Sequence, residues 1–322
     1  MNRIKTVLSA AALVLLGGTF TIEPAAAADK VFALVPKNMN NPFFDQARDG
    51  CQKAAQEIGG IECYYIGPGE HGGGDEQFQM VQDLVAKHVD GLAISVSNAP
   101  AIAKAAAAAK EAGIPLVTWD SDLLPNDHAL RATYIGTVNT EIGKEIAKRL
   151  IALKPDGGTY CIQSGGPAAV NMNERMKGML DTLPADKWTQ VAGCPLYNND
   201  DFPLSIVQMT DILAKYPDLD AMLNAGGAPQ MLPEAYRQLT ARYEDRIKSG
   251  DLVLLFVETM DVQMGFLKEG LSQGQVGQRP FEMGYRAIYA LNDLVNGKTV
   301  QDPMTVGLDV CTPETADNCK AK

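Results

Sequence analysis

The sequence predicts an α/β protein built as two doubly wound parallel-sheet lobes joined by a three-strand hinge. Three observations carry this. Short apolar runs alternate with amphipathic stretches along nearly the whole chain. The connections between them are short and rich in Gly, Pro, Asn and Asp. The alternation restarts after Asn139 with no low-complexity linker between the halves. Repeated βαβ units require parallel strands with helices on both faces. Strands buried on both sides read as continuous apolar runs, as these do.

The first stretch stands apart from that pattern. Arg3 and Lys5 precede an apolar run from Val7 to Leu16, and small residues follow as far as Ala25-Ala26-Ala27-Ala28. This is the pattern of a secretory signal peptide, residues 1–28, cleaved before Asp29. The run is shorter than the about 18 apolar residues expected of a membrane span. No Cys lies at the cleavage site to carry a lipid. The expected location is the periplasm.

In the first half, strands are expected at Val31–Val35, Ile61–Ile66, Gly91–Val96, Pro115–Thr118 and Thr133–Ile135. Helices are expected at Phe43–Ile58, Asp75–His88 and Ala99–Ala112, the last around a run of alanines. The second half begins with a helix from Thr140 to Leu153. Strand Thr159–Gln163, helix Asn171–Leu183, strand Thr189–Tyr197 and helix Leu204–Lys215 follow. Then come strand Ala221–Asn224, helix Pro229–Thr240, strand Leu252–Val257, a short helix from Val262, strand Gln275–Gln278 and a final helix Phe281–Val295. The expected N-terminal lobe is 29–138 plus 279–307, and the C-terminal lobe 139–278 plus 308–322. The crossings fall near Val138–Asn139, Met260–Gln278 and Val306–Leu308.

The whole chain has a formal charge of −11, and removing Arg3, Lys5 and Glu23 takes away one net positive charge, leaving −12. That balance disfavours nucleic acid and anionic membranes as partners and suits a freely diffusing monomer. An even number of cysteines in an exported chain reads as disulfides: Cys51, Cys63, Cys161, Cys194, Cys311 and Cys319. Several connectivities are open, and pairing neighbours in order is the simplest. With no CxxC and no clustered His, a metal site is not expected, nor is any cofactor.

In open α/β sheets, ligands bind beyond the carboxyl ends of the strands. After the first strand stand Lys37, Asn38, Asn41, Phe43 and Phe44; after the fourth, Asp120, Ser121 and Asp122. The second half adds Asn173 and Arg175 at a helix start, Asp200, Gly226, Glu258 and Gln278. Amides, carboxylates and guanidinium groups meet the paired donor and acceptor needs of hydroxyls in fixed geometry. Aromatic rings offer a flat face to the C–H side of a sugar. The set therefore points to a polyhydroxylated ligand, a carbohydrate or polyol. Simpler roles compete at several positions. Asn41-Pro42 fits a helix N-cap followed by Pro at N1. Phe43 and Phe44 could serve the core, Asp120 a turn, and Lys37 solvent. His71, His88 and His128 are isolated in sequence and receive no role.

Enzyme signals are weak. Gln163-Ser164-Gly165-Gly166-Pro167 is not a GxSxG elbow. Gly72-Gly73-Gly74 does not follow a strand, and there is no GxxxxGK[ST]. A regulator of the same fold would need an N-terminal helix-turn-helix where the signal pattern stands.

Several segments carry a family resemblance: Asn40-Asn41-Pro42-Phe43-Phe44, Gly91-Leu92-Ala93-Ile94-Ser95, Gly113-Ile114-Pro115-Leu116-Val117-Thr118, Tyr216-Pro217-Asp218-Leu219-Asp220-Ala221, and Gln278 before the last helix. With them the chain resembles the type I periplasmic sugar-binding proteins of ABC importers, the group that includes ribose-, rhamnose- and autoinducer-2-binding members. The resemblance implies the two-lobed periplasmic binding protein fold and a sugar held between the lobes. It implies delivery to ABC permease subunits, with a chemoreceptor as a further candidate partner. It assigns ligand contacts to Asn41, Phe43, Phe44, Asp120, Arg175, Glu258 and Gln278. Gly226-Gly227 and Ser121 depart from the ribose type. Pro36-Lys37 and Thr118-Trp119-Asp120-Ser121-Asp122 are similar to the autoinducer-2 and rhamnose branch, where the Lys and Asp contact ligand. Asn171-Met172-Asn173 stands where autoinducer-2 proteins present Asp-Gln. An autoinducer-2-type furanose is thus the alternative ligand, and a sugar-processing enzyme the alternative class.

Overall fold

The computed structural model describes residues 28–70 and 74–319. The expected secretion signal lies outside the described residues except for Ala28, as does His71. Two sheets organise the molecule. The first contains β1 (Lys30–Val35), β2 (Ile61–Tyr65), β3 (Gly91–Ile94), β4 (Leu116–Trp119), β5 (Tyr134–Gly136) and β12 (Met304–Thr305). The second contains β6 (Gly158–Ser164), β7 (Trp188–Gln190), β9 (Ala221–Asn224), β10 (Val253–Val257), β11 (Gly274–Gly277) and β13 (Asp309–Cys311), with β8 (Leu196–Tyr197) paired to β6. Spatial orders are β12-β5-β4-β3-β1-β2 and β13-β11-β10-β9-β6-β7.

Helices cover both faces of each sheet. Successive β1 residues divide between them, because side chains alternate along a strand. Phe32 and Leu34 pack with α1 (Pro42–Ile58) and α10 (Pro280–Val295); Ala33 and Val35 pack with α2 (Asp75–Ala86) and α3 (Ala99–Glu111). The second sheet repeats the arrangement. Ile162, Leu223 and Leu255 face α4 (Asn139–Leu153) and α5 (Val170–Thr182). Cys161, Met222 and Phe256 face α6 (Phe202–Lys215), α7 (Pro233–Ala241) and α9 (Asp261–Lys268). Gly143 and Gly178 let α4 and α5 meet backbone to backbone. A Cβ at Gly143 would run into the Arg175 carbonyl, and one at Gly178 into the Thr140 carbonyl. This seats α5, which carries several groups of the site.

The chain passes between sheets three times: from β5 to α4, from β11 to α10, and from β12 to β13. Among the described residues the strand pairs are parallel with one exception, β11 with β13. β12 leaves the first sheet at its carboxyl end, so the next strand enters the second sheet from the cleft side, against its neighbours. The three disulfides join Cys51–Cys63, Cys161–Cys194 and Cys311–Cys319, with Cα separations of 5.9, 5.5 and 5.9 Å.

Three local expectations change. The single strand expected over 189–197 is broken by a turn in which Gly193 takes φ 97° and Cys194 is tied to β6. The helix expected over 229–240 becomes a 3₁₀ turn, Ala228–Met231, followed by α7. Pro233 lacks an N–H and pushes Leu232 out of helical geometry, to φ −115°, ψ 80°. A further short helix, α8 (Glu244–Ser249), precedes β10.

Candidate functional site

The carboxyl ends of both sheets face each other across a narrow cleft lined by residues of both lobes. The turn after β1 forms one wall. Asn41 caps α1, its Oδ1 accepting from the Phe43 amide at 3.0 Å, with Pro42 in the first turn. That geometry aims the start of α1 at the cleft. Phe43 and Phe44 meet edge to face at 5.2 Å, and Phe44 meets Trp119 the same way at 5.7 Å. Both phenylalanines line the cleft and also belong to the first lobe's core.

Asp120, at the end of β4, is the polar centre. Ser95 Oγ donates to its Oδ2 at 2.7 Å, and Asn171 Nδ2 donates to its Oδ1 at 3.3 Å. Lys37 Nζ lies 3.7 Å from Oδ2 and donates to Asn171 Oδ1 at 2.8 Å. Lys37 and Asp120 belong to the first lobe and Asn171 to the second, so this network bridges the lobes. Burial holds the Lys37 ammonium below its ordinary pKa, opposed by the Asp120 charge.

Arg175 comes from α5, one helical turn beyond Asn171, and is buried. Its Nε donates to Asn139 Oδ1 at 3.0 Å and its Nη1 to the Ala225 carbonyl at 2.9 Å. Nη2 has no hydrogen-bond partner among the described residues and lies 3.7 Å from Asp120 Oδ1. Glu258, at the end of β10, accepts from Gln278 Nε2 at 2.7 Å through Oε1, which is also 3.6 Å from Arg175 Nη1. Its Oε2 has no partner among the described residues. Burial pushes the Glu258 carboxyl up to about 7, against the pull of Arg175.

The backbone marks the same positions. Asp120, Asp200 and Glu258 have φ of 59°, 57° and 85°, in the left-handed region that costs non-glycine residues energy. All three line the cleft. Such strain persists where the surrounding structure enforces it and commonly accompanies function.

Of the residues singled out in sequence, Lys37, Asn41, Phe43, Phe44, Asp120, Arg175, Asp200, Gly226 and Glu258 line the cleft. Five others do not. Asn38 is fully buried behind the turn, and Ser121 is fully buried behind Asp120. Asp122 points away from the cleft and is held by Arg131, with Nη2 at 2.6 Å and Nε at 2.7 Å. Asn173 is exposed, its amide donating to the Pro167 carbonyl at 2.9 Å. Gln278 stands one step back, holding Glu258. His128 is not isolated: its Nε2 lies 3.3 Å from Asp122 Oδ2. Asn171, Met172, Phe202, Met231 and Met260 line the cleft without having been marked as site residues. For Asn171 and Met172 a signal was present, since Arg175 already placed their helix start at the cleft. The remaining three resemble core residues in sequence.

Comparison with known proteins agrees with this architecture. A family model described as a periplasmic binding protein domain matches residues 32–299. The ribose import binding protein of Salmonella typhimurium is 26% identical over 309 residues, covering 96% of this chain and 97% of that protein. Its Bacillus subtilis counterpart is 27% identical over 277 residues, covering 85% and 84%. A crystal structure of an ABC transporter solute-binding protein from Burkholderia graminis, in complex with D-arabinose, superposes with a TM-score of 0.80. It is 28% identical and covers 91% of this chain and 98% of that one. The matched region spans both sheets and the cleft between them, and the chain belongs to the periplasmic binding protein domain family, whose members are solute-binding proteins rather than enzymes.

Proposed function

We propose that this chain is a periplasmic solute-binding protein that captures a monosaccharide or related polyol between its lobes and delivers it to an ABC-type permease. The carrying observation is the pair of buried polar atoms at the cleft, Arg175 Nη2 and Glu258 Oε2, that have no hydrogen-bond partner among the described residues. A buried donor and acceptor left unpaired cost about 1–3 kcal/mol each. A hydroxylated ligand supplies both partners and recovers that energy. The relatives that bind ribose and D-arabinose by their descriptions support the ligand class. The export pattern of residues 1–28 supports the periplasm. Lobe boundaries of 29–138 plus 279–307 and 139–278 plus 308–322 accord with the three passages between the sheets.

In this mechanism Asp120 and Lys37 meet the ligand from the first lobe, and Arg175, Asp200 and Glu258 from the second. Ligand contacts made by both lobes at once exist only in the closed form, so binding shifts the population toward it. The closed form is then what the permease recognises. A thermal-shift screen of pentoses, hexoses, polyols and autoinducer-2 tests the reading. A ligand at about 100 times its dissociation constant adds about 2.7 kcal/mol of stability. A panel in which no carbohydrate or polyol raises the melting temperature refutes the ligand class.

A further inference from the structure

Part of the cleft wall offers no side-chain hydrogen-bonding group. Gly226, Gly227 and Ala228, following β9, supply no polar side-chain atom, and Met172, Met231 and Met260 also line the cleft, the Met260 thioether already accepting from Gln46 Nε2 at 3.4 Å. Met172 lies over Gly226, where an added Cβ would sit 3.5 Å from Met172 Cε, whereas Gly227 backs onto the Gln263 amide. Met172 and Met260 are nearly buried, at 8% and 5% exposure. Polar groups adjoin this stretch of wall. Asn171 and Arg175 flank Met172 on the same helix, and Glu258 follows Val257, whose amide donates to the Gly226 carbonyl at 3.2 Å. The cleft therefore has, beside its hydroxyl-reading groups, a stretch of wall at Gly226–Ala228 and Met172 without oxygen- or nitrogen-bearing side chains. Methionine side chains are flexible and polarizable and mould around small apolar groups.

We infer that the ligand carries an unhydroxylated carbon against the Gly226–Ala228 and Met172 surface, as a 6-deoxyhexose does with its terminal methyl group. The inference rests on the sugar-binding reading and narrows it. A hydroxyl pressed against that surface would lose water partners that the side chains of Gly226, Gly227, Ala228 and Met172 do not replace with an oxygen or nitrogen, whereas a methyl group gains by leaving water. The parent hexose and the pentose lacking that carbon should both bind more weakly than the deoxy sugar. A discrimination of about tenfold or more is expected where a pocket is built around such a difference.

Isothermal titration with sets sharing one ring configuration tests this. One set is D-arabinose, L-fucose and L-galactose; another is L-arabinose, D-fucose and D-galactose; a third is L-lyxose, L-rhamnose and L-mannose. The expected result is that, in the set that binds, the 6-deoxyhexose is about tenfold tighter than both companions. Met172→Gln and Gly226→Ser, which bring polar atoms to the patch, should reduce that ratio toward one. A lost ratio is not what a general loss of folding produces, since that weakens every sugar alike. A parent hexose or pentose that binds as tightly as its deoxy homologue overturns the inference and leaves the sugar-binding reading standing. So does a protein that retains only sugars outside these sets, ribose included. Binding of no carbohydrate or polyol at all overturns both.

Discussion

Glu258 should make the folded protein less stable as pH rises from about 4.5 to about 7. Its carboxyl is almost buried, with 9% exposure, and burial raises its pKa from 4.5 to about 7. Between these values the folded state keeps a proton that the unfolded chain has released. The folded state then binds more protons, so stability falls with rising pH across that window. Fully below 4.5 both states are protonated and the penalty is absent; above about 7 it is fully present. The gap corresponds to about 3 kcal/mol. Glu258→Gln keeps the size and the possible pairing with Gln278 while removing the titration. Urea unfolding at pH 5 and pH 8 should show the variant gaining on the parent by about 2–3 kcal/mol between the two pH values. Parallel pH profiles for the two proteins would refute the raised carboxyl pKa at this position.

Other consequences follow from single features. Asp120→Ala should abolish the ligand-induced rise in melting temperature, because Asp120 faces Lys37, Asn171 and Arg175; retention of ligand by that variant in equilibrium dialysis removes Asp120 from the site. Gly143→Val should destabilise by about 3 kcal/mol or more through overpacking against the Arg175 carbonyl, and a chemical denaturation midpoint matching the parent would contradict the close α4–α5 contact. Phe44→Ala, removing a buried ring edge-on to Trp119, should cost about 3–5 kcal/mol and weaken ligand retention together with stability; unchanged stability would place Phe44 outside the core. Removing the 161–194 disulfide, which spans 33 residues, should cost more than removing 311–319, which spans 8. On loop entropy the two are worth about 4 and about 2.5 kcal/mol, and a reversed order of urea midpoints in the paired Ser variants would defeat that ranking.

Much of this protein is legible in sequence because the signals are local. Apolar runs of strand length, the Asn41-Pro42 cap and the short Gly- and Pro-bearing turns each specify their element through nearest neighbours. Their alternation then leaves the parallel two-lobe sheet arrangement as the architecture that buries every apolar face. The strand-end rule brought nine of the marked residues to the cleft wall. Local signals fail where a choice depends on contacts distant in sequence. Whether Asp122 turns toward the cleft or toward Arg131 depends on a partner nine residues on and on Asp302 beyond it. Whether Asn171 or Asn173 reaches the cleft is a question of helix phase, settled by the Gly143 and Gly178 packing of α4 on α5. Met231 and Met260 have no polar atom to mark them, so only the approach of the two lobes makes them part of a binding wall. The raised carboxyl of Glu258 likewise follows from enclosure, a property of the assembled cleft. The sequence by itself determined the layers, the lobes and the strand ends where a ligand would lie. Only the tertiary structure decided which side chains face that ligand, because facing is set by packing between elements far apart in the chain.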